Sequence, residues 1–164
     1  MKIRIVLQDG RVMRATLDEK AAPLTVAHFR KLVDENFFHG LIFHRVIPGF
    51  VIQGGGLDAD MQPKKCESVK GEFRSNGVNN PLRHTKGALS MARTMFPNSA
   101  MSQFFVCVDD VPHLDGEYAA FGYLDDAESI DVAVAIASVP TRSVGMYDDV
   151  PATPVVIDRI ERVE

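Results

Sequence analysis

A chain of 164 residues and 18.1 kDa, with 46% hydrophobic and 24% charged residues, has the size and composition of one globular domain. Its net charge of −4 includes no long run of one sign, which argues against a protein that binds nucleic acid. The longest nearly uninterrupted apolar stretch, residues 132–140, is about half the length of a membrane span, so no transmembrane helix is predicted. We therefore expect residues 1–164 to form a single domain that does not enter a membrane.

The N-terminal segment and the cysteines bear on where the protein works. The opening MKIRIVLQDG has neither the apolar region nor the small-residue cleavage site of a signal peptide, so we expect a strand there. The two cysteines, Cys66 and Cys107, are too few for a disulfide framework and lack metal-site spacing. We expect a protein of the reducing cytoplasm, with a monomer as the default state.

The first elements along the chain are predicted to be a hairpin and a helix. Residues 2–17 contain two apolar segments on either side of Asp9 and Gly10, a pair that tolerates the positive φ angles of a tight turn. From Pro23 onward apolar residues recur every three or four positions, which is typical of an amphipathic helix. We expect this helix to end near Asn36.

Residues 43–55, FHRVIPGFVIQGG, form an apolar segment that two polar side chains, Arg45 and Gln53, interrupt. We expect two strands here, joined at Pro48 and Gly49. An arginine among apolar residues loses much of its hydration, and a buried charge needs a partner. Either a carboxylate or a bound ligand must supply that partner.

The rest of the chain is predicted to be one long loop, further strands and one short helix. Turn-forming residues crowd residues 54–86. Strand patterns return in three segments, at 87–93, 102–108 and 118–124. A helix with Ser129 as its N-cap would end at Pro140, before a last strand within residues 154–163. We therefore predict a mainly β fold, with an antiparallel sheet closed into a barrel and capped by the two helices.

The alternation of side chains along a regular strand adds an expectation about residues 43–47. Phe43, Arg45 and Ile47 should share one face of the strand, whereas His44 should point to the opposite face, toward the core. We therefore interpret His44 as a structural histidine.

Several kinds of chemistry lack support in the sequence. No zinc-helix, phosphate-loop, dinucleotide or nucleophile-elbow motif occurs, and the histidines lie far apart, so we predict neither a metal site nor a cofactor. Three pairs of adjacent aspartates, at 109–110, 125–126 and 148–149, are interpreted as solvated turn residues. A small β-barrel hydrolase with the scattered triad Ser102, His113 and Asp115 is an alternative that the spacing does not support.

The segment FHRVIPGFVIQGG resembles the signature of the cyclophilins, which are peptidyl-prolyl cis/trans isomerases. GALSMA, SQFFV and HLDGEYAAFG follow in the family's order and at about its spacing, so the resemblance covers nearly the whole chain. The lack of extra loops is typical of short bacterial members. The resemblance implies a closed eight-stranded antiparallel barrel with a helix at each end, and an active site on its outer surface.

Motif positions carried over from the family imply specific roles for residues of this chain. Arg45 would be the catalytic residue. The substrate-binding residues would be Phe50, Val51, Gln53, Ala92, Arg93, Gln103, Phe105, His113, Leu114 and Tyr118. The substrates would be Xaa-Pro segments of client proteins, whose isomerisation assists folding. The alternative is a non-catalytic module that binds proline-containing peptides on the same barrel.

Three of the implied binding residues depart from the commoner family pattern. Arg93 stands where many members have Asn, His113 where several have Trp, and Tyr118 where several have His. A backbone contact at Arg93 would survive the change and Tyr118 can still donate a hydrogen bond, so we expect isomerase activity to be retained. Because an imidazole covers less apolar area than the indole that helps to hold cyclosporin, we expect cyclosporin to bind only weakly.

Overall fold

A computed structural model describes residues 1–163, and within them the fold is mainly β with two α-helices. The strands are β1 (Lys2–Leu7), β2 (Val12–Leu17), β3 (Arg45–Ile47), β4 (Val51–Gly54), β5 (Ala88–Met91), β6 (Phe104–Cys107), β7 (Ala120–Leu124), β8 (Thr141–Val144), β9 (Tyr147–Pro151) and β10 (Ile157–Val163). The helices are α1 (Pro23–Asp34) and α2 (Ala127–Ala137). The predicted N-terminal hairpin, both helices and all the predicted strands are confirmed, several with shorter bounds.

Eight strands form one curled antiparallel sheet in the order β10-β1-β2-β7-β5-β6-β4-β3. The two edge strands, β3 and β10, do not pair with each other. An isolated bridge between Ile42 and Val156 joins the segments beside them. Backbone hydrogen bonds from the Phe43 amide to the Val155 carbonyl (3.1 Å), from the Gly40 amide to the Ile157 carbonyl (2.9 Å) and from the Ile157 amide to the Leu41 carbonyl (2.8 Å) accompany it without forming a ladder. The prediction of a closed barrel is therefore not confirmed. Strand β3 has three residues, and its ladder is formed with β4 alone.

The sheet packs one face around the main core, in which the Phe29 ring of α1 lies at the centre. This ring is fully buried and lies 5.1 Å from the rings of Phe38 and Phe121 and 5.5 Å from that of Phe104. Aromatic contacts of this kind stabilise a core beyond their apolar area. The helices therefore cover the inner face of the sheet and leave its outer face available.

Strand β6 shows how the outer face acquires its own apolar cluster. Phe104 and Val106 belong to the main core, whereas the alternate residues Phe105 and Cys107 belong to a second buried cluster on the opposite face. We call this second group the outer cluster, and its buried members are Val51, Ala88, Phe105, Cys107, Val111 and Leu114. The central strands are thus apolar on both faces.

The two helices begin with different caps. The N-cap of α1, Ala22, has no capping side chain, and the buried Glu72 of the long loop accepts hydrogen bonds from the Thr25 amide (2.6 Å) and the Leu24 amide (3.2 Å) instead. For α2 the prediction of Ser129 as N-cap is wrong. Asp126 is the N-cap and accepts from the Ser129 amide at 2.7 Å, because the helix begins three residues earlier than predicted.

The hairpin of β8 and β9 was not predicted. Its strands lie outside the eight-stranded sheet, and most of their residues are exposed, so the apolar alternation that marks a strand is absent. It nevertheless packs β9 against β3. The long predicted loop at 54–86 is confirmed, since its longest regular element is the single 3-10 turn Arg74–Asn76.

Two further findings concern the membrane and the cysteines. Within residues 1–163, neither helix has the length and hydrophobicity needed to span a bilayer. Both cysteines are unpaired, and burial raises the pKa of the Cys107 thiol to about 12. Cys107 is thus an unreactive packing residue of the outer cluster.

Candidate active site

The β3–β4 hairpin places Arg45 and Gln53 side by side. The turn between the strands closes with a 3.1 Å bond from the Phe50 amide to the Ile47 carbonyl, and Gly49 adopts the positive φ of 72° that the turn requires. Arg45 pairs in register with Gln53, and its Nη1 donates to Gln53 Oε1 at 3.3 Å. Gln53 Nε2 in turn donates to Oε1 of Gln103 at 2.9 Å, so a polar row crosses the outer face.

The half-buried Arg45 has no acidic partner. Among residues 1–163, no carboxylate oxygen lies within 4.0 Å of its guanidinium nitrogens. Its Cζ atom lies 5.8 Å from the centre of the Phe50 ring. A structural salt bridge therefore does not explain this arginine, whose charge borders an open cavity instead.

That cavity has a volume of about 370 Å³ and an apolar floor. The floor consists of outer-cluster residues that are almost fully buried: Val51 (2% exposed), Phe105 (5%) and Leu114 (8%). The complete lining is His44, Arg45, Phe50, Val51, Gln53, Ala92, Arg93, Gln103, Phe105, Leu114, Tyr118 and Tyr147. Every residue that the sequence assigned to the site is present except His113, and two residues that it did not assign, His44 and Tyr147, are added.

His113 lies at the rim of the cavity. It is exposed within the 3-10 turn Pro112–Leu114, and its ring stacks on that of Phe50 with 5.9 Å between centroids and 17° between planes. A ligand larger than the cavity would reach this imidazole.

Arg93 uses its charge to hold the neighbouring loop in place. Its Nε and Nη2 both donate to the carbonyl of Glu117, at 3.0 and 2.7 Å. Its Cζ lies 4.8 Å from the centre of the Tyr118 ring and 4.7 Å from that of Phe73. Arg93 therefore positions Tyr118, which contacts Phe105 edge to face at 5.8 Å.

His84 packs against Phe105 of the cavity floor. No sequence pattern indicated this role for His84. Its ring lies parallel to that of Phe105, 5.9 Å away. Its Nδ1 lies 2.9 Å from Asp115 Oδ1, and its Nε2 lies 2.8 Å from Ser90 Oγ. Burial lowers the pKa of His84, whereas hydrogen bonds from His84 lower that of Asp115 despite burial. A neutral His84 therefore donates to an ionised Asp115 and accepts from Ser90.

The hydrolase alternative is wrong. Ser102 is buried, and its Oγ donates to the Gly55 carbonyl at 2.7 Å. Asp115 pairs with His84 instead of His113. No hydrogen bond joins the three proposed triad residues, so a nucleophile activated by them cannot form.

The other clusters of acidic residues serve turns and caps. Asp126 caps α2, and Asp110 accepts from the Lys86 amide at 2.9 Å. Within residues 1–163, no group of three or more His, Cys, Asp or Glu side chains is placed to hold a metal ion.

The structure corrects the expectation about His44. Phe43 lies in the main core, 5.9 Å from Phe104, whereas His44 lines the cavity on the outer side. The regular strand begins only at Arg45. The preceding residues pack closely over Gly54, where a Cβ would lie 2.5 Å from the Ile42 carbonyl oxygen. Because Phe43 lies in the main core and Arg45 lines the cavity, the alternation of β3 does not extend back to residue 43.

Comparison with known proteins supports the class that the hairpin and the cavity indicate. Residues 2–162 match the family described as "Cyclophilin type peptidyl-prolyl cis-trans isomerase/CLD". "Peptidyl-prolyl cis-trans isomerase B" of Escherichia coli (strain K12) is 41% identical over 158 residues, which cover 92% of this chain and 93% of that protein. "Peptidyl-prolyl cis-trans isomerase A" of Dickeya dadantii is 43% identical over 145 residues, which cover 86% and 74% of the two chains.

A solved structure extends the similarity to the fold. The cyclophilin-type isomerase of Cryptosporidium parvum, crystallised in the presence of the dipeptide Ala-Pro, superposes with a TM-score of 0.79 at 26% identity and covers 100% of this chain and 99% of its own. The chain belongs to the cyclophilin-type peptidyl-prolyl cis/trans isomerases, and its activity is that of a rotamase.

Proposed function

We propose that Arg45 accelerates rotation about Xaa-Pro bonds by donating a hydrogen bond to the prolyl nitrogen in an apolar cavity. The observation that supports this role is the half-buried guanidinium, which faces the cavity with the Gln53 amide as its hydrogen-bond partner and no carboxylate beside it. A charge in such a place is stabilised by a hydrogen-bond acceptor that enters the cavity.

The chemistry needs a donor and a dry site. The peptide bond resists rotation because the nitrogen shares its lone pair with the carbonyl, and uncatalysed Xaa-Pro isomerisation takes tens to hundreds of seconds. In the twisted transition state this conjugation is lost, so the proline nitrogen carries a localised lone pair that can accept a hydrogen bond. No covalent bond is broken, and no proton needs to be transferred.

Magnitudes show that Arg45 does not act alone. Shortening the reaction from ~100 s to ~1 ms is a factor of about 10⁵, or roughly 7 kcal/mol of preferential transition-state binding. One charge-assisted hydrogen bond supplies about 1.5 to 3 kcal/mol. The remainder has to come from water exclusion and from a cavity that fits the twisted segment better than the planar one.

The cavity lining offers groups for both tasks. Val51, Phe105 and Leu114 form an apolar floor suited to a proline ring. Gln53 accepts from Arg45 and donates to Gln103, so the guanidinium is already oriented before substrate binds. A group fixed in advance costs no reorganisation when the transition state forms.

The physiological setting follows from this mechanism and from composition. We propose that the substrates are Xaa-Pro segments of client proteins that are still folding, since such segments are accessible before burial. A cytoplasmic location and a monomeric state stay predictions, based on the unpaired cysteines and on the sequence alone.

Exchange NMR on an Xaa-Pro peptide tests the mechanism. Wild-type protein should greatly enhance the rate of cis/trans exchange. Arg45→Ala should lower the catalysed exchange rate about 10- to 100-fold and bind the peptide with a Kd similar to that of the wild type. Arg4→Ala, which removes an exposed arginine from β1, is the matched control and should leave the rate unchanged.

Two results would contradict the proposal. Peptide binding by the wild type without enhanced exchange would identify a non-catalytic proline-peptide module. An Arg45→Ala protein that keeps the full rate would show that another group supplies the stabilisation.

A further inference from the structure

Two large apolar side chains project into solvent on the loop that follows β5. Met95 is 83% exposed and Phe96 is 68% exposed, and they are the only sequence neighbours among the large apolar residues exposed within residues 1–163. Single exposed apolar residues are ordinary on protein surfaces, whereas a neighbouring pair of this size forms a patch suited to contact with another apolar group. We call Met95 and Phe96 the apolar tip.

Hydrogen bonds hold the loop in the conformation that exposes the apolar tip. The Thr94 amide donates to Ser99 Oγ at 3.0 Å, and that hydroxyl donates to the Phe96 carbonyl at 2.7 Å. Asn98 Oδ1 accepts from the Gly71 amide at 3.1 Å, which joins this loop to the long loop at 54–86. Because the backbone is held on both sides of the tip, the exposed pair is a fixed feature of the surface.

The apolar tip lies beside the candidate active-site cavity. Arg93 lines that cavity, and Met95 follows it by two residues, so their Cα atoms are at most about 7 Å apart. A smaller cavity of about 210 Å³, which Thr94 and Ser99 line, adjoins the first. The two cavities share the lining residues Gln53, Ala92, Arg93 and Gln103. The surface is therefore continuous from the proposed proline site to the loop.

The order of the strands places the tip on one flank of the cavity. Across the outer face the elements run β9, β3, β4, β6 and β5, and the loop with the tip follows β5. At the other end, Tyr147 of β9 lines the cavity and its neighbour Met146 is 89% exposed. A peptide that crosses these strands with its proline over the floor has one flank beside the apolar tip and the other beside Met146.

The size of the patch decides between two occupants. A second copy of the chain would need roughly 800 Å² of contact on each partner, whereas two side chains of this kind offer at most roughly 400 Å². A segment already held in the cavity has lost its translational freedom there, so one further small apolar contact adds to its affinity. The patch therefore suits the flank of a bound client.

We propose that the apolar tip binds an apolar side chain on one flank of the client segment whose proline occupies the active-site cavity. An extended flank advances about 3.3 Å per residue, so the contact reaches a residue roughly two to four positions from the proline. Such a contact favours prolines within apolar segments, which are buried once a client has folded. The inference rests on the proposed isomerase function and specifies which clients are preferred.

Binding of three matched peptides tests the apolar tip. One peptide has serines on both flanks of Ala-Pro, and the other two carry a leucine three positions before or three positions after the proline. One of the two leucine peptides should bind the wild type about 3- to 10-fold more tightly than the serine peptide. The double variant Met95→Ser/Phe96→Ser should bring this affinity ratio close to 1, whereas Met146→Ser, the equally exposed control, should leave it unchanged.

Two binding results would overturn the proposal. The first is a leucine preference that the double variant keeps, and the second is a preference that Met146→Ser removes instead. Sedimentation velocity adds a third: self-association of the wild type that Phe96→Ser abolishes would assign the patch to a second copy of the chain.

The wild-type protein supplies a readout that does not depend on variant affinities. With ¹³C-labelled methionine methyl groups, the Met95 signal should shift when the preferred leucine peptide is added, and the Met146 signal should not. An unmoved Met95 signal would contradict the inference. A tip-dependent leucine preference without enhanced exchange would mean that the isomerase mechanism fails and the apolar tip stands; enhanced exchange without that preference gives the reverse result.

Discussion

Two adjacent residues, His44 and Arg45, differ in charge although both line the cavity. Arg45 carries a charge that the Gln53 amide orients, whereas burial and the Arg45 charge keep His44 neutral. Because Gln53 uses its oxygen for Arg45 and its nitrogen for Gln103, its amide cannot rotate without losing a bond. The site therefore combines an oriented cation and a neutral imidazole in one cavity.

His113 leads to a prediction about cyclosporin. The wild type should be inhibited weakly, and His113→Trp should bind cyclosporin about 10-fold more tightly, since the indole adds apolar area and an N–H donor. The chain contains no tryptophan, so the introduced indole is a fluorescent reporter of the titration. His39→Trp serves as the control for the reporter. If cyclosporin inhibits the wild type tightly and the substitution does not change this, the His113 imidazole does not limit the affinity for cyclosporin.

At the scale of elements, the long loop stabilises the helix that covers the core. Glu72 is 3% exposed and accepts three hydrogen bonds at the start of α1, two from Thr25 and one from the Leu24 amide. Its negative charge also lies at the positive end of the helix dipole. The irregular segment at 54–86 is thus part of the fold's support.

Removing this cap should measurably destabilise the protein. Glu72→Ala leaves the Thr25 hydroxyl and two helix amides without an acceptor, and we expect it to lower the free energy of unfolding by about 2 to 4 kcal/mol. Urea denaturation measures the change. Glu67→Ala, at an exposed position of the same loop, is the control and should be within about 0.5 kcal/mol of wild type. Equal stability of the two variants would contradict the capping role.

The sequence predicted those elements whose patterns are local. The N-terminal hairpin, α1 and the β3–β4 turn follow from Gly and Pro positions and from apolar periodicity, and the family motif located ten of the twelve cavity residues. The start of α2 was misplaced because Ser129 and Asp126 are both good N-caps. His44 and Tyr147 were missed because an irregular residue precedes β3 and because the strands of the β8–β9 hairpin are largely exposed.

At the scale of the whole molecule, the two faces of the curled sheet have different roles: one packs the main core and the other carries the candidate site. The inner face packs against the helices, and the outer face holds the cavity over the separate outer cluster.

The two neutral histidines, His44 and His84, both have lowered pKa values in the fold. The unfolded chain therefore takes up more protons as pH falls below about 6.5, so their contribution to stability is complete above that pH and declines toward pH 4.

The central claim is that Arg45 acts as a fixed charge, without proton transfer. The most direct test is the pH dependence of kcat/KM for the wild type between about pH 6.5 and 8.5, where both buried histidines are neutral and arginine side chains stay charged. The profile should be flat across this range, with folding monitored in parallel by circular dichroism. A bell-shaped profile centred near pH 7 in fully folded protein would contradict the claim and indicate acid-base catalysis.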